Sequence, residues 1–364
     1  MLKFCQLSFH MGNFFRRYQA WVQYQNLVST HAPAAEVSGP DDNAIPIYKP
    51  GEKDRIAADN RPVIAIDLRE GLREIALMNQ RLPRDKHYIL FCGSYPGIKK
   101  ANIELDHTLI FHEFVLASMF ELHMSPQSPF FYTHRWYNVK EPKPMQFVHF
   151  ADVPRRHRAL FAEWLSELPD QNWIFRLHGK DYGVSANQLD DVDHNVTGTG
   201  LSRWFEQSAK HTPNPHLHIM GRIPVRMMNQ ARYNLVLESD FDTETLSTTE
   251  KTLRPLMLGM PFVLASGAGH MARLRHFGFR TYNELWDESY DQEPDHTKRL
   301  RQIFDLVREL YQFDWKSNQN TLLEIGCHNQ ANFLQLGRYF DKEFTNFEAA
   351  LTQSPATNLI YAPR

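Results

Sequence analysis

Thr249-Glu250-Lys251 sets a hydroxyl, a carboxylate and an ammonium side by side, and Glu238 closes the apolar run that precedes them. An ammonium suits a phosphate, and ionised carboxylates accept hydrogen bonds from hydroxyl groups. A second polar group, Arg155-Arg156-His157-Arg158, opens the apolar stretch Ala159 to Leu165. Cations in the first turn of a helix oppose its dipole, at a cost of about a few tenths of a kcal/mol each. An anion held by backbone N–H groups and guanidinium forks would offset that cost; a solvated cationic helix end is the other reading. Ser266-Gly267, in a small-residue turn after another apolar run, completes the set. Arg155, Arg158, Glu238, Thr249, Glu250, Lys251, Ser266 and Gly267 are thus the candidates for holding a ligand that carries both phosphates and hydroxyls.

The elements that must position these residues are legible around them. Tyr233 to Leu237 reads as a buried strand. Thr248 and Thr249 supply hydroxyls for a helix start, with Glu250 in the first turn where the dipole favours an anion. Leu253, Leu256, Met257 and Met260 follow at helical spacing, Gly259-Met260-Pro261 stops the helix, and Phe262 to Ala265 is the next strand. A strand, helix, strand unit of a parallel sheet brings Glu238, Thr249-Glu250-Lys251 and the Ser-Gly turn to the carboxyl edge of the strands, where open α/β sheets bind ligands. Upstream, Met145 to Phe150 and Trp173 to Leu177 read as strands. Downstream, Met271 to Phe277 reads as a short helix, Thr297 to Tyr311 as an amphipathic helix, and Asn320 to Phe347 as helical.

The first half repeats the alternation. Pro62 to Ile66 is a strand ending at Asp67, Glu70 to Asn79 a helix, and His87 to Cys92 a second strand, while Leu109 to Leu122 mixes the two periods. Phe14 to Val28 could form a helix, and residues 32–54, rich in Pro, Gly and Asp, read as a loop or linker. The proline- and aromatic-rich residues 125–144 separate the halves. The expected fold is α/β, with two Rossmann-like domains facing a cleft: an N-terminal extension and linker over 1–59, a first domain over 60–144, a ligand-binding domain over 145–312, and a helical segment over 313–364 packing back on the first domain.

Composition bounds the function. The 364 residues, 42% of them hydrophobic, suffice for two cores, and 40 Lys+Arg against 42 Asp+Glu leave no global basic field for nucleic acid, which a local patch would have to hold. Cys5, Cys92 and Cys327 are widely spaced and odd in number, which suggests a reducing compartment and no zinc site. No run has signal-peptide or membrane-spanning character, so the expectation is a cytoplasmic protein without a membrane partner.

The ordered set of helix Arg, strand-end Glu and Thr-Glu-Lys resembles the donor-binding domain of the α1,3-fucosyltransferase-type glycosyltransferases. Arg158, Phe161 and Leu165 match that family's helix opening, Tyr233-Asn234-Leu235 and Glu238 its strand, and Thr249-Glu250-Lys251 its Tyr-x-Thr-Glu-Lys motif, across roughly residues 145–310. Ser239 stands where the family has Asn, Ser247 where it has Tyr, and the loop between Glu238 and Glu250 is longer. The resemblance therefore implies a nucleotide-diphosphate sugar as donor and the GT-B arrangement, but not fucose. Residues 262–291 and the element Pro154-Arg155-Arg156-His157-Arg158 are similar to phage-encoded glycosyltransferase-like proteins. Some phage enzymes of this kind decorate hydroxymethylated DNA bases, so the acceptor is either modified DNA or a glycan, and the setting implied is a phage protein acting in host cytoplasm.

The chemistry implied is sugar transfer through an oxocarbenium-like state. Negative charge builds on the leaving phosphate, so Arg158 and Lys251 would stabilise the transition state more than the bound donor. Glu250 would meet the ribose hydroxyls, and Glu238 the ribose or donor sugar. In an inverting reaction a carboxylate or His of the facing domain removes the acceptor proton: Asp67 first, then Glu104 and His107, with helix capping as the alternative role of Asp67. Asp240-Phe241-Asp242 and Asp190-Asp191-Val192-Asp193 fit a metal-binding Asp-x-Asp pattern that also arises by chance in loops, and His216 and His218 lack a third ligand nearby, so no metal is expected. For DNA, Lys99-Lys100, Arg81, Arg84 and Arg135 would meet phosphates, and Phe130, Phe131, Tyr132, Trp136 and Tyr137 would wall a flipped base or simply pack a core. Two other classes remain open: a non-catalytic nucleotide or nucleic-acid binding protein using Arg273, Arg275, His276 and Arg280, and a metal-dependent hydrolase using the acidic loops.

Overall fold

A computed structural model describes residues 3–4, 44–45, 47–48, 53–58, 60, 63–68, 87–92, 108–111, 137–151, 155–168, 172–177, 228–239, 241, 246 and 248–353. The chain divides into two compact units, one comprising 1–125 with 336–364, the other 126–335.

In the first unit, β1 (Lys3–Phe4) pairs in parallel with β2 (Ala44–Ile45). A second parallel sheet runs β3 (Ile47–Tyr48), β4 (Val63–Leu68), β5 (His87–Cys92), β6 (Thr108–Phe111), in that order. A short helix, α1 (Lys53–Ala58), lies between β3 and β4 in the chain. β4 and β5 begin and end close to where their apolar runs do. The expectation of a linker through residue 54 is corrected here: Ile47 and Tyr48 pair with Ala65 and Ile66. Two residues are too few to carry a readable period, so the edge strand leaves no signature amid prolines.

The second unit is built on β7 (Met145–Ala151), β8 (Trp173–Leu177), β9 (Ala231–Leu237) and β10 (Phe262–Ala265), all parallel, in the order β10-β9-β7-β8. Its helices are α2 (Arg156–Ser166), α3 (Glu250–Leu258), α4 (His270–His276), α5 (His296–Glu309) and α6 (Gln319–Gln353), the last crossing the division between units at residue 335. Every described β10 residue and all of β9 except half-buried Arg232 are buried, as expected of a parallel sheet covered on both faces and read as a continuous apolar run. Phe147 stacks on Trp173 and tilts against Tyr233 across the three neighbouring strands, and Phe161 of α2 meets Phe304 of α5 edge to face.

This strand order contains a reversal. The chain steps from β7 out to β8, then returns to place β9 on the other side of β7 and continues outward to β10. The connections after β7 and β9 therefore lead to opposite sides of β7, which makes the carboxyl edge between these strands the switch point at which open α/β sheets bind ligands.

α3 is delimited as its sequence dictates. The Thr249 side chain accepts from the Lys251 N–H at the start. Gly259, at φ 67°, ends it with a left-handed turn in which the Met260 N–H reaches the Pro255 carbonyl at 2.8 Å. α6 crosses this turn closely enough that a Cβ on Gly326 would collide with the Gly259 carbonyl oxygen. Polar side chains of α6 close nearby backbone ends: Gln330 donates to Leu258 O, Asn332 to Phe277 O, and Asn329 bonds both the N–H and the carbonyl of Arg280.

Tyr137, considered above as part of a wall for a flipped base, is buried within this unit, its hydroxyl reaching the Ala231 and Arg232 carbonyls at 3.1 and 2.7 Å. It anchors the entry to β9. Outside the described residues lie Glu104, His107, the helices expected at 14–28 and 70–79, and residues 112–122 of the mixed stretch. So do residues 190–193, His216, His218, Asp240, Asp242, Arg81, Arg84, Lys99, Lys100, Arg135, Phe130, Phe131, Tyr132 and Trp136.

Candidate functional site

Glu238 is the first residue beyond β9, and its carboxylate turns inward to a fully buried position. One oxygen accepts from the Thr249 N–H at 3.1 Å and from the Thr252 hydroxyl at 2.6 Å; the other accepts from the Thr249 hydroxyl at 2.6 Å and lies 3.8 Å from Lys251 Nζ. The sequence reading gave Glu238 a contact with a ligand hydroxyl; the contacts it makes in this structure are with the protein. Its acceptor sites face the protein, and it holds the first turn of α3 against the end of β9.

Lys251 Nζ donates to Glu250 at 3.0 Å and to the Thr249 hydroxyl at 3.2 Å, and its side chain retains 11% exposure. Burial pushes the Glu250 carboxyl up, but the charges of Lys251 and Arg254, with the Lys251 hydrogen bond, outweigh it and hold the group at about 2. Glu250 is an anion at any working pH. Ser239, Thr249 and Lys251 are the partly exposed members through which the cluster meets solvent.

Arg158 reaches the same edge from α2. Its Nε and one terminal nitrogen donate to the Leu237 carbonyl at 3.1 and 2.8 Å, and that nitrogen lies 3.4 Å from Ser239 Oγ. Arg158 is 1% exposed. Arg155, by contrast, is exposed at the N-terminal boundary of α2 and makes no side-chain cap there.

Three histidines lie at this edge, of which the sequence reading named only His157, within the cationic helix start. His149 of β7 donates through Nδ1–H to Leu235 O at 2.7 Å; burial first, then the nearby charges of Arg158 and Lys251, hold it well below its usual range. Both candidate cations thus act on one neutral imidazole of β7. His157 donates through Nε2–H to the Glu238 carbonyl at 2.8 Å and stacks on Phe241, and burial with the Arg158 charge likewise keeps it neutral. His270 lies 2.9 Å from Thr248 Oγ1 and 2.6 Å from Ser266 Oγ, with burial and then Arg273 lowering it to about 3. A histidine in an apolar strand or at a helix start gives no sequence signal of such contacts, since every hydrogen-bond partner but Ser266, four residues before His270, is set by tertiary packing.

Ser266 and Gly267 lie at the end of β10, adjoining Glu238 through the bond from its N–H to Ala265 O. Their groups are engaged internally: the Ser266 hydroxyl on His270, its carbonyl on Arg299, and the Gly267 carbonyl with the His270 N–H. The following helix start is already met by a carboxylate, Asp291, which accepts from the Met271 and Ala272 N–H groups at 2.9 and 3.1 Å. Through these contacts the turn braces the start of α4 and the end of β10. Phe241, the middle residue of the Asp-x-Asp pattern, is buried between the His157 ring and the Arg299 guanidinium, and Arg299 also holds its carbonyl at 2.6 Å.

Asp67 lies in β4 of the other unit, paired with Phe91. Among the described residues no group of three His, Cys, Asp or Glu is arranged to hold a metal ion, and no helix is long and apolar enough to cross a membrane. In the cationic cluster invoked for nucleic acid, Arg275 pairs with Glu288, Arg280 with Glu284 and Glu324, and Arg273 donates to Leu246 O, so these arginines brace their own surroundings.

The second unit is a parallel α/β sheet with a charged, hydroxyl-rich cluster at its reversal point. No protein-family model matches the chain, and no curated protein matches it.

The buried ionisable groups make stability depend on pH. His149, His157 and His270 sit below their ordinary value of 6.5, so the unfolded chain binds protons that the fold refuses, and stability falls as pH drops below about 6.5. Glu250, depressed from 4.5 to about 2, contributes stability that is fully present above 4.5 and is lost as pH falls toward 2. The melting temperature should therefore decline steadily from neutral pH into acid. A flat profile between about pH 7 and pH 5 would contradict the neutral buried imidazoles.

Proposed function

We propose that the chain is a glycosyltransferase of GT-B type, whose second unit binds a nucleotide-diphosphate sugar at the carboxyl edge of β9 and β7. The observation that carries the proposal is the gathering of Arg158, Thr249, Glu250 and Lys251, residues from two helices, at the reversal point of a parallel sheet. In this scheme the bond from the sugar's anomeric carbon to the phosphate oxygen breaks, with its electron pair leaving on the nucleotide diphosphate. The acceptor hydroxyl oxygen bonds to that carbon and gives its proton to a carboxylate of the first unit, Asp67 or Glu104, with inversion. Lys251 meets the leaving phosphate directly and Arg158 acts through its nearby buried charge, where a fixed cation is worth more than in water. Glu250 accepts from ribose hydroxyls, Arg155 meets outer phosphate oxygens, and Glu238 holds the turn that carries Thr249 and Lys251.

The acceptor is proposed to be a hydroxymethylated base in DNA, with a free glycan as the competing outcome. The test is turnover of nucleotide-sugars in EDTA with either acceptor. Turnover should persist in EDTA; strict metal dependence would favour the hydrolase reading, and binding without turnover the non-catalytic one. Transfer to modified DNA should weaken steeply with salt, with a slope near the number of phosphates contacted, whereas transfer to a glycan should hardly respond. Transfer to a glycan and to no modified DNA would remove the DNA acceptor and leave the transferase intact.

A further inference from the structure

Two loops flank the cluster: one ends at Thr248, immediately before the Thr249 cap of α3, and the other begins at Ser266, where β10 ends. His270 touches both. Its Nε2 lies 2.9 Å from Thr248 Oγ1 and its Nδ1 2.6 Å from Ser266 Oγ, with the residue 1% exposed. A neutral imidazole donates through one ring nitrogen and accepts through the other, so it orients both hydroxyls at once. One turn further along α4, Arg273 donates to the carbonyl of Leu246, in the same loop as Thr248. α4 is itself held by Asp291, through its carboxylate on two N–H groups and its carbonyl on the Gly269 N–H.

We propose that His270 is a positioning residue of the nucleotide site: by tying Thr248 to Ser266 it fixes the first turn of α3, and with it Glu250 and Lys251, in the arrangement that receives a nucleoside diphosphate. Glu238 grips the same turn from β9 through Thr249 and Thr252, and His270 grips it from β10 and α4. With only one grip, the segment before Thr249 is free to swing and carry the cap with it. A buried histidine that merely fills space would not bond through both ring nitrogens to hydroxyls of the two loops bordering one cluster. The nucleotide part of this inference rests on the proposed function; the mechanical tie does not.

The test uses the full chain with His270→Asn and His270→Gln. The Asn amide occupies the place of Nδ1 and can keep the Ser266 bond alone; the Gln amide reaches the place of Nε2 and can keep the Thr248 bond. Hydrogen exchange at the Thr249, Lys251 and Thr252 amides is measured together with calorimetric affinity for UDP and GDP. Each variant keeps one end of the tie and loses the other, so both should speed that exchange and weaken binding of whichever nucleotide the wild type takes by about tenfold. Thr248→Val, which keeps the shape and removes the hydroxyl, should reproduce the His270→Asn result and serves if either histidine variant fails to fold. Wild-type exchange and binding in either histidine variant, or in Thr248→Val, would overturn the tie. Wild-type protein that binds neither UDP nor GDP would overturn the nucleotide assignment, while the exchange rates still decide whether His270 holds the turn.

Discussion

Glu238→Ala should lower the stability of the folded chain by about 3 kcal/mol, the order expected when a buried carboxylate with several partners is removed. Three donors lose their acceptor together: the Thr249 N–H, the Thr249 hydroxyl and the Thr252 hydroxyl. Lys251, 3.8 Å away, loses one of its two neighbouring carboxylates. The site is fully buried, so water cannot take over these bonds without opening the turn. Glu238→Gln keeps the volume and one carbonyl acceptor, and should cost less than the alanine variant. Denaturant unfolding followed by tryptophan fluorescence measures both; an alanine variant as stable as the wild type would mean that Glu238 does not anchor α3.

Lys251→Ala should reduce kcat/KM for the nucleotide-sugar by about a hundredfold, the loss expected from one charge-assisted contact to a developing phosphate charge. Stability should change less, because Arg254 still faces the Glu250 carboxylate. Lys251→Arg keeps the charge but not the compact three-donor head, and should recover part of the loss. Steady-state kinetics beside thermal unfolding separates the two effects. Equal losses in activity and stability would make Lys251 a structural cation, and unchanged kinetics would remove it from the site.

The parts of the fold that announce themselves in sequence are those whose burial is local and periodic. β8 and β10 span the residues of their apolar runs, and α3 starts at the hydroxyl cap and ends at the glycine where its sequence places them. The strand–helix–strand order of β9, α3 and β10 was legible for the same reason. Ile47–Tyr48 was not, since two residues at a sheet edge have no period.

The candidate site was half legible. Charged residues closing a strand or opening a helix mark the carboxyl edge, and Arg158, Glu238 and Thr249 to Lys251 do converge there. What the sequence cannot carry is which way a side chain turns once there: Glu238 points inward, Ser266 faces His270, and Arg158 is tied to a carbonyl of β9. His149, Asp291 and Arg299 act through partners distant in sequence, as does His270 at Thr248, and no spacing rule connects these pairs.

The central claim, a nucleotide-diphosphate site at the carboxyl edge of β9, is tested most directly by thermal-shift titration of the wild type and Lys251→Ala with nucleoside diphosphates and their sugars. At a concentration one hundred times its dissociation constant, the cognate nucleotide should stabilise the wild type by about 2.7 kcal/mol, and the same concentration should stabilise Lys251→Ala far less. No shift of the wild type with any of these nucleotides, or an equal shift in both proteins, would contradict the site.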